Sequence, residues 1–295
     1  MQHIIIGAGP AGVIAAETLR KADPDAEITI IGDEPEPAYS RMAIPYYLID
    51  NVEESGTYLR DPENHFKSQN IEVVQQRVDS IDTQGKSVKL ADGNSRAYDK
   101  LLIATGSHPV SPPIPGLELP QVHSCWTLED ARNIIRLTQP GSNVVLIGAG
   151  FIGCIILEAL VKRGVNLAVV ETGNRMVPRM LDEKAGGLLE QWCKNQGIDV
   201  HTSCSVDAIT ALADDQVEAS LSDGSRLSAA LVITATGVKA NIDLLAGTGI
   251  ETDQGVLVNK AMQTSNADIY AAGDVAQGVD FSTGNQEVQA SQPTA

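Results

Sequence analysis

Residues 3–16 read HIIIGAGPAGVIAA, and residues 144–161 read VVLIGAGFIGCIILEALV. Each opens on an apolar run of strand character, 3–6 or 144–147, and passes directly into a GxGxxG. The glycines are Gly7, Gly9 and Gly12 in the first stretch, Gly148, Gly150 and Gly153 in the second. An Ala- and Leu-rich segment of helical character follows, 10–21 or 151–163. A second apolar strand comes next, 27–31 or 166–170, and it ends in acid: Asp33-Glu34 in one case, Glu171 in the other. This is a βαβ unit written twice, with fingerprints 148 − 7 = 141 residues apart.

In such a unit the first glycine permits a tight turn, the second lets backbone approach a pyrophosphate, and the third allows close helix–strand packing. The helix N-terminus, Pro10-Ala11 or Phe151-Ile152, offers unpaired N–H groups and the positive dipole end to phosphates. The closing acid accepts from ribose hydroxyls. A lone GxGxxG says little. Two, each with strand, helix, second strand and acid in place, predict two dinucleotide sites.

The repeat extends further. Residues 101–106 (LLIATG) and 231–237 (LVITATG) are apolar strands ending in Ala104-Thr105-Gly106 and Ala235-Thr236-Gly237. They fall 106 − 7 = 99 and 237 − 148 = 89 residues after their fingerprints. Both are expected to reach the ligand edge beyond the strands' carboxyl ends; buried strands ending in tight turns are the plainer alternative. Short alternating strands precede each, 77–82 and 86–90 with a turn at Asp92-Gly93, then 206–212 and 216–221 with a turn at Asp223-Gly224. Residues 109–120, PVSPPIPGLELP, hold five prolines in twelve positions and read as a stiff linker. Thr127 and Asp130 beyond it have the spacing of a capping box.

A length of 295 residues argues for two domains. Hydrophobic residues make up 43% but aromatics only 4%, so the cores must be Ile, Val, Leu and Ala, as suits parallel strands buried on both faces. The net charge, 21 − 38 = −17, is dispersed without a long acidic run and argues against binding to nucleic acid or anionic lipid. Cys125, Cys154, Cys193 and Cys204 form no CxxC and no close ligand spacing. They read as free thiols of a reducing, cytoplasmic compartment. The five histidines are scattered, and no metal site is expected. Residues 3–16 lack the basic flank of a signal peptide, and residues 144–161 carry three glycines and Glu158, unlike a membrane span.

Together with Tyr270-Ala271-Ala272-Gly273-Asp274, these motifs, in this order, make the chain resemble the pyridine nucleotide–disulfide oxidoreductases and their relatives. The resemblance covers essentially the whole chain. It implies an α/β fold of two Rossmann-like dinucleotide-binding domains, each with a small β-meander. An NAD(H)-binding domain, residues 109–242, would be inserted into a discontinuous FAD-binding domain, residues 1–108 plus 243–295. The first fingerprint would hold FAD and the second NADH. The implied cofactor contacts are Gly7, Gly9, Pro10, Ala11, Gly12, Asp33, Glu34, Arg41, Val78, Ala104, Thr105, Gly106, Gly148, Gly150, Phe151, Ile152, Gly153, Glu171, Ala235, Thr236, Gly237, Gly273 and Asp274. In the family the aspartate matching Asp274 contacts the ribityl chain of FAD; a helix N-cap before Val275 is compatible with that role.

Residues 39–47 read YSRMAIPYY. Met42 stands where coenzyme A–disulfide reductases carry their cysteine, and a thioether forms no thiolate, so thiol-based turnover is not expected. The same segment is similar to the YDRxxLS stretch of ferredoxin and rubredoxin reductases and of the nitrite reductase large subunit, with Arg41 at their arginine. The match implies a contact of Arg41 with FAD phosphate or ribose, a solvated loop arginine being the alternative. A lysine–glutamate pair of the ferredoxin reductases is replaced here by Tyr46 and Ile155.

The implied chemistry is hydride transfer from NADH to FAD, then electron delivery to a small-molecule or small electron-carrier acceptor, with no catalytic acid or base. The alternative is a non-catalytic FAD/NADH-binding redox-sensing module, or an inactive fragment. Glu171 favours NADH over NADPH, since a carboxylate accepts from a 2′-hydroxyl and repels a 2′-phosphate; Arg175 weighs the other way. A charge of −17 also repels acidic ferredoxins and rubredoxins where no basic patch intervenes. Relatives continue past the Gly-Asp motif into a helix and a dimer-forming domain, and residues 290–295 (ASQPTA) stop about where that helix begins. The C-terminal dimerisation domain is therefore expected to be absent. The chain is expected to be a monomer or weak dimer with weakened or absent flavin, and its residues Val275–Ala295 to have little to pack on and to be mobile or swapped onto a neighbour.

Overall fold

The computed structural model describes residues 1–288; the stretch expected to open a helix, 290–295, lies outside them. The chain divides into two compact units. The first comprises Met1–Ser40, Tyr58–His108 and the residues from Lys239 onward; the second comprises Arg41–Thr57 and Pro109–Val238.

In the first unit a parallel sheet runs in the order Ile269–Ala271, Lys100–Ile103, Gln2–Ile6, Glu27–Gly32, Ile71–Gln75. Ile4, Ile5 and Ile6 are all buried, as an unbroken apolar run requires when both faces of a strand are covered. Helix Pro10–Ala22 turns Gly12, Val13, Ala16 and Glu17 inward, one face at helical spacing. Ile6 lies opposite both Ile31 and Ile103. Gly7, Gly32 and Ala104 therefore leave their strands at one common edge.

The second unit repeats the plan: Val122–Ser124, Leu231–Thr234, Asn143–Ile147, Asn166–Glu171, Asp199–Thr202, all parallel. Ile147 lies opposite Val170 and Thr234. The Gly7 N–H donates to the Ile31 carbonyl at 2.7 Å, and the Gly148 N–H to the Val170 carbonyl at 2.8 Å. Both units are thus Rossmann-like α/β domains, and each carries a three-stranded antiparallel meander. The meanders share a register shift beside their first residue, at Val78/Ser80 and at Val206/Ala208. Thr127 and Asp130 form the full reciprocal capping box at the start of helix Leu128–Leu137.

Two features differ from the sequence expectation. Residues 41–57, assigned by sequence to the first domain, pack with the second unit. Arg132 of helix Leu128–Leu137 grips Glu54 through two bonds of 2.8 Å, Arg163 donates to the Leu48 carbonyl, and Ile44 and Leu48 are buried. Ion pairing across distant sequence leaves no periodic trace. Nor do the described residues after Asp274, 275–288, lack a packing partner. Val275 and Ala276 are buried, and Ala276–Val279 pairs in parallel with Val256–Leu257 and antiparallel with Gln286–Val288. No helix follows Asp274 among the described residues; a turn closes instead, the Ala276 N–H donating to the Gly273 carbonyl at 2.9 Å. Among the described residues no helix is long and apolar enough to cross a membrane.

Candidate cofactor-binding sites

The three glycines of each fingerprint divide into two kinds. A Cβ on Gly7 would lie 2.1 Å from the Ala104 carbonyl oxygen, and φ there is +116°. A Cβ on Gly12 would lie 2.0 Å from the Gly7 oxygen. In the second unit, Gly148 (φ +98°) would meet the Ala235 oxygen at 2.5 Å, and Gly153 the Gly148 oxygen at 2.3 Å. These four positions belong to the packing of the fold itself. Gly9 and Gly150 are different, because a Cβ on either meets nothing within 4 Å. Both N-cap their helices without a side-chain cap, so the first-turn N–H groups have no donor-consuming side chain of their own. An open cradle over an uncapped helix N-terminus is what a diphosphate requires. The residues present fit a dinucleotide twice over. Pro10 removes one orphan donor at no cost, Ala11 and Ile152 are half-buried, and Phe151 is exposed.

The two ATG turns are fastened alike. The Thr105 hydroxyl donates to the Asn241 carbonyl at 2.9 Å, and the Asn241 backbone N–H returns a bond of 2.9 Å to Gly106. In the second unit the Thr236 hydroxyl donates to the Val110 carbonyl at 2.9 Å, and the Val110 N–H to Gly237 at 2.9 Å. Asn241 adds a side-chain bond to the Thr105 carbonyl at 2.7 Å. Sequence reading missed Asn241, whose only signal is its position just after the second ATG.

The acids separate the two sites. The register puts Gly32 and Glu171 at equivalent strand ends, so the first unit's acids follow one and two residues later. Asp33 is exposed, and the Glu34 carboxylate accepts from the Tyr39 hydroxyl. Glu171 is only 8% exposed. Its carboxylate accepts the Ala149 N–H at 2.7 Å and the Gly173 N–H at 2.6 Å, with the Thr172 hydroxyl at 3.3 Å. A carboxylate has about four lone-pair sites, which leaves acceptor capacity for a ribose hydroxyl. At the end of the first sheet Ser107, itself buried, donates to Asp274 at 2.9 Å.

Other expected contacts sit less directly. The Val78 side chain belongs to the core, so only its backbone remains for a ligand. Arg41 lies in the second unit, its guanidinium 4.8 Å from the Trp126 ring centroid. Trp126 follows the strand Val122–Ser124, which flanks the ATG strand as Ile269–Ala271 does in the first unit; Trp126 therefore holds the counterpart of the Gly273-Asp274 position. Asp130 pins it, accepting its N–H at 3.0 Å. Met42 and Tyr46 are exposed and Ile155 is half-buried. Burial pushes the Cys125 thiol up to about 12 and the Cys154 thiol up to about 11. Among the described residues no three His, Cys, Asp or Glu side chains gather closely enough to hold a metal ion.

The sequence pattern of the pyridine nucleotide-disulphide oxidoreductases matches residues 1–295. The chain belongs to this family. It is similar to an NADH oxidase of Methanocaldococcus jannaschii, 35% identical over 97% of this chain and 65% of that protein. It is also similar to the epsilon subunit of the NADH-dependent phenylglyoxylate dehydrogenase of Aromatoleum evansii, 31% identical over 100% of this chain and 69% of the relative. Among solved structures it superposes with a TM-score of 0.95 on a covalent putidaredoxin reductase–putidaredoxin complex, at 28% identity, over 99% of this chain and 72% of that one. The chain thus spans about two thirds of the length of the curated relatives it matches.

Proposed function

We propose that this family member holds FAD on its first unit and NADH on its second, and acts as a flavoprotein oxidoreductase without a redox-active disulfide. Bound together, these cofactors supply hydride transfer from nicotinamide to flavin and onward delivery of electrons. The protein's own part is to bind and orient. Gly9 and Gly150 leave room for the diphosphates, the helix starts at Pro10 and Phe151 donate to them, and Glu34 and Glu171 stand at the ribose ends. Asp274 accepts from the flavin's sugar-alcohol chain. The doubled cradle carries the reading: twice in one chain, an open glycine lies over an uncapped helix N-terminus.

The NADH named in two relatives supports that nucleotide, as does the carboxylate of Glu171. Met42, in place of a cysteine, supports turnover without a thiol. The acceptor is a small molecule or a small electron carrier, as for the relative solved together with putidaredoxin. Buried free thiols suit a reducing compartment such as the cytoplasm.

The test is the visible spectrum of the purified chain with added FAD, followed by NADH oxidation with ferricyanide as acceptor. A flavin spectrum and NADH-dependent ferricyanide reduction are expected. Flavin binding without turnover would leave a binding module, and a chain that takes up no FAD would overturn the assignment.

A further inference from the structure

We propose that Ser107 is a positioning residue for Asp274, holding its carboxylate in place for a sugar-alcohol hydroxyl of the flavin. The inference rests on the FAD reading above. Asp274 lies in a turn set by Gly273, where φ is +78° and the Ala276 N–H closes onto the Gly273 carbonyl at 2.9 Å. That turn abuts the cradle, since a Cβ on Gly273 would lie 3.0 Å from the Ala11 Cβ, at the N-terminus of the first fingerprint helix. Ser107 reaches the same place from the other side of the strand end, one residue after Gly106. It is 3% exposed, and its hydroxyl donates to Asp274 Oδ2 at 2.9 Å.

A carboxylate on a short turn rotates about χ1 and χ2 when nothing holds it. The buried hydroxyl fixes that rotation by engaging one oxygen. Among the described residues no other hydrogen-bond donor meets Asp274, so Oδ1 is left to accept from a ligand. Ser107 sits on a rigid support, because the turn before it is tied to Asn241 at Thr105 and at Gly106. A binding group held by a locked neighbour binds more tightly than one left to rotate.

The experiment is a fluorescence titration of the full chain with FAD, and displacement of bound FAD by ADP. ADP carries the cradle-binding half of FAD without its flavin and sugar-alcohol chain. Ser107→Ala is expected to weaken FAD about tenfold, the scale of a hydrogen bond to a charged group, while the dissociation constant of ADP drawn from the displacement holds. Ser107→Thr, which keeps the hydroxyl, is expected to bind FAD as the unsubstituted chain does. In an Asp274→Asn background Ser107→Ala is expected to cost little more, since residues that act through one another are not additive. Unchanged FAD affinity in Ser107→Ala, an equal loss for ADP, or full additivity with Asp274→Asn would each overturn the proposal. Failure of the unsubstituted chain to bind FAD would overturn the functional reading beneath it, and the proposal with it.

Discussion

The Glu171 carboxylate accepts the Ala149 N–H at 2.7 Å, tying the acid at the end of one strand to the glycine turn at the end of its neighbour. The same group accepts the Gly173 N–H, so it clamps two loops. A carboxylate there holds the cradle in shape, and on the proposed reading it also repels a 2′-phosphate.

Glu171→Gln is therefore expected to act on both. An amide accepts through one atom only, and its NH2 faces a backbone N–H that needs an acceptor. NADH affinity should fall about tenfold, the order of a hydrogen bond to a charged group, while the preference for NADH over NADPH narrows. KM for both nucleotides in ferricyanide reduction checks this. Equal use of NADH and NADPH by the unsubstituted chain would remove the specificity half of the argument.

The glycines give a sharper separation of fold from binding. Gly9→Ala and Gly150→Ala add a Cβ that meets no protein atom within 4 Å, so the melting temperature should hold while FAD or NADH binding weakens. Gly12→Ala and Gly153→Ala push a Cβ to 2.0 and 2.3 Å from a backbone oxygen. Backbone must shift to relieve that, and thermal unfolding should show a loss of about 1–3 kcal/mol, the range of overpacking. A Gly9→Ala variant that melts early and binds FAD normally would reverse the assignment.

Why the glycines and both βαβ units were legible, and some neighbours were not, follows from what sequence records. Periodicity and turn chemistry are local, so the strands before Gly7 and Gly148, the helices after them and the Thr127 capping box can be read directly. The placement of residues 41–57 depends on Arg132 meeting Glu54 and Arg163 meeting Leu48, pairs 78 and 115 positions apart, which no window contains. The strand Val256–Leu257 has only two residues, too short for a period of two to register. Without it the residues after Asp274 look unpartnered. The closing acid of the motif marks Glu171 as a candidate for the ribose, but its grip on Ala149 depends on the register between two strands.

Glu17 gives a pH-dependent prediction. It is 8% exposed on the inner face of helix Pro10–Ala22, and it binds Arg60 at 2.6 Å and His65 at 2.8 Å. The Arg60 guanidinium holds its carboxyl below the usual glutamate range, with His65 adding to the effect. A depressed carboxylate pKa stabilises the fold above the unfolded value of about 4.3, and that stability is lost as pH falls through the folded value. Glu17→Gln should cost about 1–3 kcal/mol at pH 7, and the gap between its melting temperature and that of the unsubstituted chain should shrink when melts are repeated near pH 3. A gap of the same size at both pH values would show that packing, not charge, holds Glu17.

The last prediction concerns the thiols. Burial raises Cys125 to about 12 and Cys154 to about 11, and it raises Cys193 as well. Cys154 is the sensitive position, one residue after Gly153 and half-buried, its thiol directed to the Ala149 carbonyl at 3.7 Å. A thiol that titrates near 11 is about one part in a thousand thiolate at pH 8, and the thiolate is the reactive form. Iodoacetamide at pH 8 should accordingly label the folded chain far more slowly than the urea-unfolded chain. NADH-dependent ferricyanide reduction should survive an exposure that fully alkylates the unfolded protein. Both follow from the proposed turnover without a thiol and from the burial that raises Cys125, Cys154 and Cys193. Rapid loss of activity under mild alkylation, prevented by NADH, would place a reactive cysteine at the second cradle and end the case for thiol-free turnover.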